Sequence, residues 1–155
     1  MKFLIPFVGK TKESYLDAGI RDYAGRLGRF AEVDLPVLRE RHGRKDADEV
    51  VKAAEAALLL EQAASAGFRV ALDPGGKSSD SEELAGLLTQ WERQGIGTVC
   101  FLIGGHLGLH RSVLDRAELA LSLSRLTFTH EMTRLILLEQ LYRACTIKAG
   151  HKYHK

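Results

Sequence analysis

Residues 101–109 read Phe101-Leu102-Ile103-Gly104-Gly105-His106-Leu107-Gly108-Leu109. An apolar run ending in Gly-Gly-x-x-Gly marks backbone that must come close to something, because glycine removes the Cβ and opens positive φ. Gly97 to Ile103 is continuously apolar, as in a central strand of a parallel sheet. Downstream, Arg111 to Asp115 predicts a short helix, Ala117 to Leu123 a last strand, and His130 to Ile147 a closing helix. Upstream, Ser81 to Gln94 reads as a helix capped by Ser81, with Glu82 and Glu83 in its first turn. Phe68 to Leu72 is a buried strand entering the loop Asp73-Pro74-Gly75-Gly76-Lys77, and Asp46 to Ala66 is a helix closed by Gly67.

Arg39 to Lys45 is a basic turn. Glu32 to Leu38 alternates as a strand, with Pro36 favouring an edge. A helix opening at Thr11 to Ser14 carries Tyr15, Leu16, Ile20, Tyr23 and Leu27 on one face. Lys2 to Val8 is a first strand ending in Gly9-Lys10. Strands alternating with helices at these lengths predict an α/β fold on a parallel sheet, in one domain over residues 1–155.

With 155 residues, 45% hydrophobic and 27% charged, the composition is that of a soluble globular chain. No apolar run approaches the roughly 18 residues of a membrane span, and Met1 to Val8 is too short for a signal peptide. Cys100 and Cys145 lack CxxC spacing or a ligand set, so they read as reduced buried thiols in a cytoplasmic protein. His106, His110 and His130 lack helical ligand spacing, and no metal is expected. The net charge of +2 hides a segregation, with a surplus of four positive charges at each end and six negative in the middle. An anionic partner met by both ends fits that distribution.

Ligands of open α/β sheets bind beyond the carboxyl ends of strands. Leu72 to Lys77, Gly104 to Gly108 and Leu123 to Phe128 each follow a buried strand and could line one crevice. Any one of these loops alone is better explained by a simple turn; three at successive strand ends favour a site. No GxGxxG follows the first strand and no GxxxxGK[ST] occurs. A nucleotide here is therefore expected to be held by backbone amides and carbonyls, favouring adenine and ribose with little phosphate.

Leu135, Ile136, Leu137, Leu138 and Leu141 make the closing helix apolar around most of its circumference, which demands burial on more than one face. A partner subunit is the expected cover, with Leu135, Ile136, Leu138 and Leu141 at the dimer interface; the alternative is that both faces are covered within the chain. Arg143 is placed to pair with phosphate or carboxylate. The terminal His151-Lys152-Tyr153-His154-Lys155 is either an ordinary disordered tail or a functional cluster of titratable and phosphate-binding groups.

These residues resemble the ribosomal large-subunit pseudouridine N3-methyltransferases of the SPOUT class, over essentially the whole chain. The resemblance rests on Leu72-Asp73 with Gly76-Lys77, on Leu102-Ile103-Gly104-Gly105 with Gly108-Leu109, and on Leu121-Ser122-Leu123-Ser124 with Leu126-Thr127-Phe128 and His130. It continues through Glu139-Gln140-Leu141-Tyr142-Arg143-Ala144 and Tyr153-His154-Lys155. Thr129 and Lys152 stand where the family usually has proline, changes expected to affect local stiffness more than chemistry.

The resemblance implies a parallel-sheet fold with a C-terminal trefoil knot, against the general rule that chains avoid knots. It implies S-adenosyl-L-methionine as cofactor, a cytoplasmic homodimer, and N3 methylation of a pseudouridine in the helix-69 loop of 23S rRNA within the ribosome. Its cofactor contacts fall on Leu72, Gly104, Leu123, Ser124, Arg125, Leu126, Thr127 and Phe128. Its catalytic residues fall on Arg143, Tyr153 and His154. N3 is a weak nucleophile while protonated, so a site must remove that proton or stabilise the anion. Arg143 suits stabilisation, and Tyr153 or His154 suits positioning or proton relay; the choice of general base stays open. Two competing readings are a non-enzymatic ribosome-binding factor of the same fold and a small-molecule methyltransferase indifferent to ribosomes.

Overall fold

A computed structural model describes residues 1–41 and 43–154. In chain order its strands are β1 (Lys2–Leu4), β2 (Phe7–Val8), β3 (Glu32–Asp34), β4 (Val37–Leu38), β5 (Phe68–Ser78), β6 (Thr98–Leu102) and β7 (Leu119–Ser122). Its α-helices are α1 (Ser14–Leu27), α2 (Asp48–Gln62), α3 (Ser81–Arg93), α4 (Arg111–Arg116) and α5 (His130–Lys148). The main sheet is parallel throughout, in the order β3-β1-β6-β5-β7, and β2 pairs with β4 in a small second sheet. The expected α/β class therefore holds, and His42, within the predicted basic turn, lies outside the described residues.

Strand alternation distributes the core. From β6 and the residue after it, Val99, Phe101 and Ile103 join one apolar cluster with Leu84, Leu88 and Trp91 of α3 and Leu137, Leu138 and Leu141 of α5. Cys100 and Leu102 face the opposite cluster, with Ala56, Leu58 and Leu59 of α2 and Val113 of α4. Burial in these apolar surroundings pushes the Cys100 thiol up to about 12 and Cys145 up to about 11, so both stay protonated and inert.

Several local expectations are corrected. The predicted strands Lys2 to Val8 and Glu32 to Leu38 each split in two, at Pro6 and Pro36, residues without an N–H. Backbone pairing nevertheless continues alongside the break, from Ile5 N to Asp34 O, Phe7 N to Pro36 O and Gly9 N to Leu38 O. The predicted loop Asp73 to Lys77 is a bulge within β5, where the register against β7 shifts between Leu72 and Lys77. Gly76 is required there, because a Cβ would lie 2.6 Å from the Ala120 carbonyl carbon. The cap of α3 is Asp80, not Ser81: Asp80 accepts from Glu83 N while Glu83 accepts from Asp80 N. Gly67 has no positive φ; the helix before it ends in a short 3-10 turn at Ala63–Ser65.

The closing helix is covered largely from within. It packs between α1 and α3, and Leu137, Leu138 and Leu141 are completely buried in the single chain. Their apolarity therefore calls for no partner; only Leu135 and Ile136 of that run keep partial exposure. Leu138→Ala should destabilise the protein by about 2–5 kcal/mol through lost burial plus a residual cavity, read as a lower urea midpoint at unchanged slope.

Candidate active site

The glycine loop closes on itself. Gly105 and Gly108 form an isolated antiparallel bridge, and Gly108 alone of the loop has positive φ, +82°. A Cβ at Gly104 would stand 2.6 Å from Gly108 O and 2.8 Å from Leu109 N. The close approach expected of the glycine loop is thus made at Gly104 by the loop's own backbone, which leaves no room for a side chain, and the left-handed position belongs to Gly108. Gly105 is enforced from below: its N–H donates to Glu55 Oε2 at 3.2 Å, and a Cβ there would meet Glu55 Oε1 at 2.6 Å. Glu55 is only 3% exposed. Sequence reading missed it, though it lies between Val51 and Leu59 at helical i, i+4 spacing, a carboxylate on an apolar stripe.

Beside this loop lies a cavity of about 760 Å³, within the range of small-molecule sites. Of the expected cofactor contacts, Leu72, Gly104, Leu123, Ser124, Leu126, Thr127 and Phe128 line it. Arg125 does not; its side chain is exposed. All three strand-end loops contribute, and the 123–129 segment is shaped by Ser124, whose carbonyl accepts from Ser122 Oγ and whose Oγ accepts from Leu126 N. Among the described residues no lysine or arginine lines the cavity, whereas Glu13, Asp73 and Glu131 do. Such walls repel phosphate and suit a neutral or cationic nucleoside.

The far rim was not anticipated. Thr129 caps α5 by accepting from Met132 N, so the residue replacing the usual proline supplies a hydrogen bond. Glu131 accepts from Lys12 N at 2.7 Å and Glu13 N at 3.1 Å, the two amides just before α1. One turn on, Arg134, 2% exposed, donates to Val8 O and Thr11 Oγ1, both at 2.9 Å, and lies over the Phe7 ring. Burial pushes Glu131 upward, but the two amide donors, His130 and Arg134 more than offset it and hold the carboxyl below its usual range. Burial, then Arg134, push His130 down, keeping it neutral at physiological pH.

The predicted catalytic residues gather elsewhere, and the tail is ordered through His154. Arg143 donates to Glu139 Oε1 from Nη2 at 2.6 Å and from Nε at 3.1 Å. Tyr153 OH donates to the same oxygen at 3.2 Å and contacts Tyr23 OH at 3.3 Å. Arg143 Nη1 faces His154 Nδ1 at 3.4 Å; a guanidinium only donates, so Nδ1 is the acceptor. The bond with Tyr23, burial and Glu139 raise the Tyr153 phenol, so it acts as a donor and not as a phenolate base. None of Arg143, Tyr153 and His154 lines the cavity. Along α5 the step from Thr133 at its rim to Arg143 is about 15 Å at 1.5 Å per residue.

A parallel α/β sheet with a phosphate-averse nucleoside pocket at its carboxyl end suits a nucleotide-derived methyl donor. The sequence pattern of the family described as predicted SPOUT methyltransferase matches residues 1–154, so the chain is a methyltransferase of that class. A Desulfotalea psychrophila protein named ribosomal RNA large subunit methyltransferase H is 48% identical over 155 residues, covering 100% of both chains. A Clostridium novyi protein of the same name is 40% identical over 159 residues, again covering 100% of both. The chain belongs to the ribosomal RNA large subunit methyltransferase H family and is an rRNA methyltransferase. A probable methyltransferase from Bordetella pertussis Tohama I superposes with a TM-score of 0.58 at 17% identity, covering 93% of this chain and 95% of that one, a likeness of fold.

The cavity fits S-adenosylmethionine, the methyl donor implied by the resemblance. Leu72, Leu123 and Phe128 offer apolar walls, the glycine loop offers backbone groups, and the three carboxylates suit a sulfonium cation.

Glu55→Ala should leave the Gly105 N–H without its acceptor, lowering stability by about 1–3 kcal/mol and weakening cofactor affinity measured by calorimetry. Glu131 tests the rim through pH. Its folded-state pKa lies below the unfolded one, so its stabilisation is complete above the usual carboxylate value of about 4.3 and is lost as pH falls through the folded value. In Glu131→Gln the urea midpoint should depend less on pH across that acid range than in wild type.

Proposed function

We propose that this enzyme methylates N3 of a pseudouridine in the helix-69 loop of 23S rRNA, acting on assembled ribosomes in the cytoplasm. On this reading the chain is one domain over residues 1–155, knotted at its C-terminal end as a trefoil. It works as a homodimer in which one subunit's cavity meets the other's Arg143, Tyr153 and His154. The observation carrying the proposal is the separation of the cavity from that cluster along α5, which supports a site completed by a second subunit. Tyr15 and Leu126 support it: both line the cavity yet are 65% and 73% exposed, an apolar rim suited to a second subunit.

When bound, the sulfonium cofactor supplies an activated methyl group, and the protein's task is alignment and control of the N3 proton. His154 presents an imidazole in contact with Arg143, and once Nδ1 exchanges the guanidinium for the substrate it is a group able to take that proton or pass it to water. Arg143 provides the positive charge for the resulting imide anion. Glu139, which holds the guanidinium through two hydrogen bonds, fixes its direction. Tyr153, kept as a phenol, donates to Glu139 and packs under the guanidinium, 4.8 Å from ring centre to Cζ.

Mass spectrometry of rRNA from cells lacking the protein should show one methyl missing from a pseudouridine; an unchanged methylation pattern would refute the substrate. Deleting residues 151–155 should leave S-adenosylmethionine affinity nearly unchanged and greatly reduce ribosome methylation. Mixed dimers of tail-deleted and Gly104→Val subunits should recover activity in one of their two sites; if they stay dead while both parents fold and dimerise, the shared site is wrong. Tyr15→Asp with Leu126→Asp should shift the sedimentation coefficient toward the monomer.

A further inference from the structure

Two loops outside the cavity concentrate the chain's unpaired positive charge. One follows β2 and carries Lys10 and Lys12; the other follows β4 and carries Arg39, Arg41, Arg44 and Lys45. Because β2 and β4 are parallel neighbours, Phe7 against Val37 and Val8 against Leu38, both loops leave the same edge side by side. Gly9 N donates to Leu38 O, and Gly9 packs against the Glu40 side chain, so the loops stay together beyond the strands. All six cations are exposed. Among the described residues none of the six forms an ion pair, whereas Lys2, Arg21, Arg26, Lys52, Arg69, Arg111, Arg143 and Lys148 each do; the other exposed cations without an ion pair, Arg29, Lys77, Arg93, Arg116, Arg125 and Lys152, are scattered singly along the sequence. Leaving six neighbouring cations without partners costs repulsion, which a polyanion relieves.

The position is also specific. The Lys10–Glu13 segment is fastened by Glu131 and Arg134 to the start of α5, and Glu13 and Glu131 line the cavity. The ridge is therefore one rigid step from the pocket mouth, on its outside, where the pocket's own carboxylates would repel phosphate. A target base can enter the pocket while its flanking phosphates run over the cations.

We infer that Lys10, Lys12, Arg39, Arg41, Arg44 and Lys45 form a phosphate-binding ridge that seats the RNA backbone flanking the target base. The inference rests on the rRNA reading above and adds the surface that carries affinity, as distinct from the tail that carries chemistry. It assigns the ridge to the backbone, so charge matters and side-chain identity does not.

The test uses the full-length protein and binding to purified ribosomes and to protein-free 23S rRNA across a salt series. Arg39→Ala/Arg41→Ala/Arg44→Ala/Lys45→Ala should bind S-adenosylmethionine as wild type does. It should bind both RNA probes at least tenfold more weakly, with a salt slope shallower by about 0.7–0.9 for each phosphate the variant no longer neutralises. Replacing Arg39, Arg41 and Arg44 by lysine should retain the wild-type slope, separating lost charge from lost structure. Wild-type affinity and slope in the alanine variant would overturn the ridge, as would a wild-type protein that binds neither probe. Ridge-dependent RNA binding by a wild-type protein that methylates nothing would instead overturn the proposed function and leave the ridge standing.

Discussion

The functional end of this molecule depends on how the first turns of α5 grip the chain that follows β2. Arg134 is buried with hydrogen bonds to Val8 O and Thr11 Oγ1, and Glu131 beside it binds the amides of Lys12 and Glu13. Burying a guanidinium and a carboxylate costs several kcal/mol per ion before pairing, and replacement by apolar residues is often neutral or stabilising. Stability alone is therefore a poor reason for the pair. Their geometry gives a better one: a pair of fixed directions holds the start of α1 at the cavity rim, where packing alone would let it slide.

That grip links three otherwise separate features. It sets Glu13 and Tyr15 on one wall of the cavity, and it anchors the loop bearing Lys10 and Lys12. The same helix, two to three turns on, carries Glu139 and Arg143. One rigid helix thus indexes the methyl-donor pocket, the basic ridge and the tail cluster against each other. The glycine loop opposite is fixed by comparable means, with Glu55 beneath Gly105 and the Gly104 backbone pressed against Gly108. Both walls of the pocket rest on buried carboxylates that accept backbone N–H groups.

What the sequence disclosed follows from which signals are local. Alternating apolar runs and breakers located the strands and helices and gave the parallel sheet, since period and length are properties of neighbouring residues. The three strand-end loops were legible because chain order places them at carboxyl ends. The errors arose where tertiary contacts decide. Pro6 and Pro36 split strands that read as continuous, Asp80 outcompeted Ser81 for the cap, and Leu138 and Leu141 of α5 are already buried against α1 and α3 within the chain. Glu55, Glu131 and Arg134 were overlooked because a charge on an apolar stripe reads as an interruption until its buried acceptor or donor is known. The side chain of Arg125, expected in the cofactor set by its place in the motif, is exposed beside the turn that Ser124 forms, which leaves its backbone for such a contact.

The tail cluster adds a last constraint on how the proposed site works. In the single chain Glu139 already receives Arg143 and the Tyr153 hydroxyl on one oxygen, so much of the guanidinium's charge is compensated. This bond to Glu139 raises the Arg143 pKa, against the opposing effect of burial, and the cation is permanent. An imide anion arriving at the remaining Nη1 edge, where His154 now sits, would meet a donor whose orientation is fixed in advance. Glu139 therefore gives up some electrostatic pull on the anion in exchange for a guanidinium that does not reorganise when charge develops. Preorganised donors of this kind stabilise a developing charge more effectively than stronger but mobile ones.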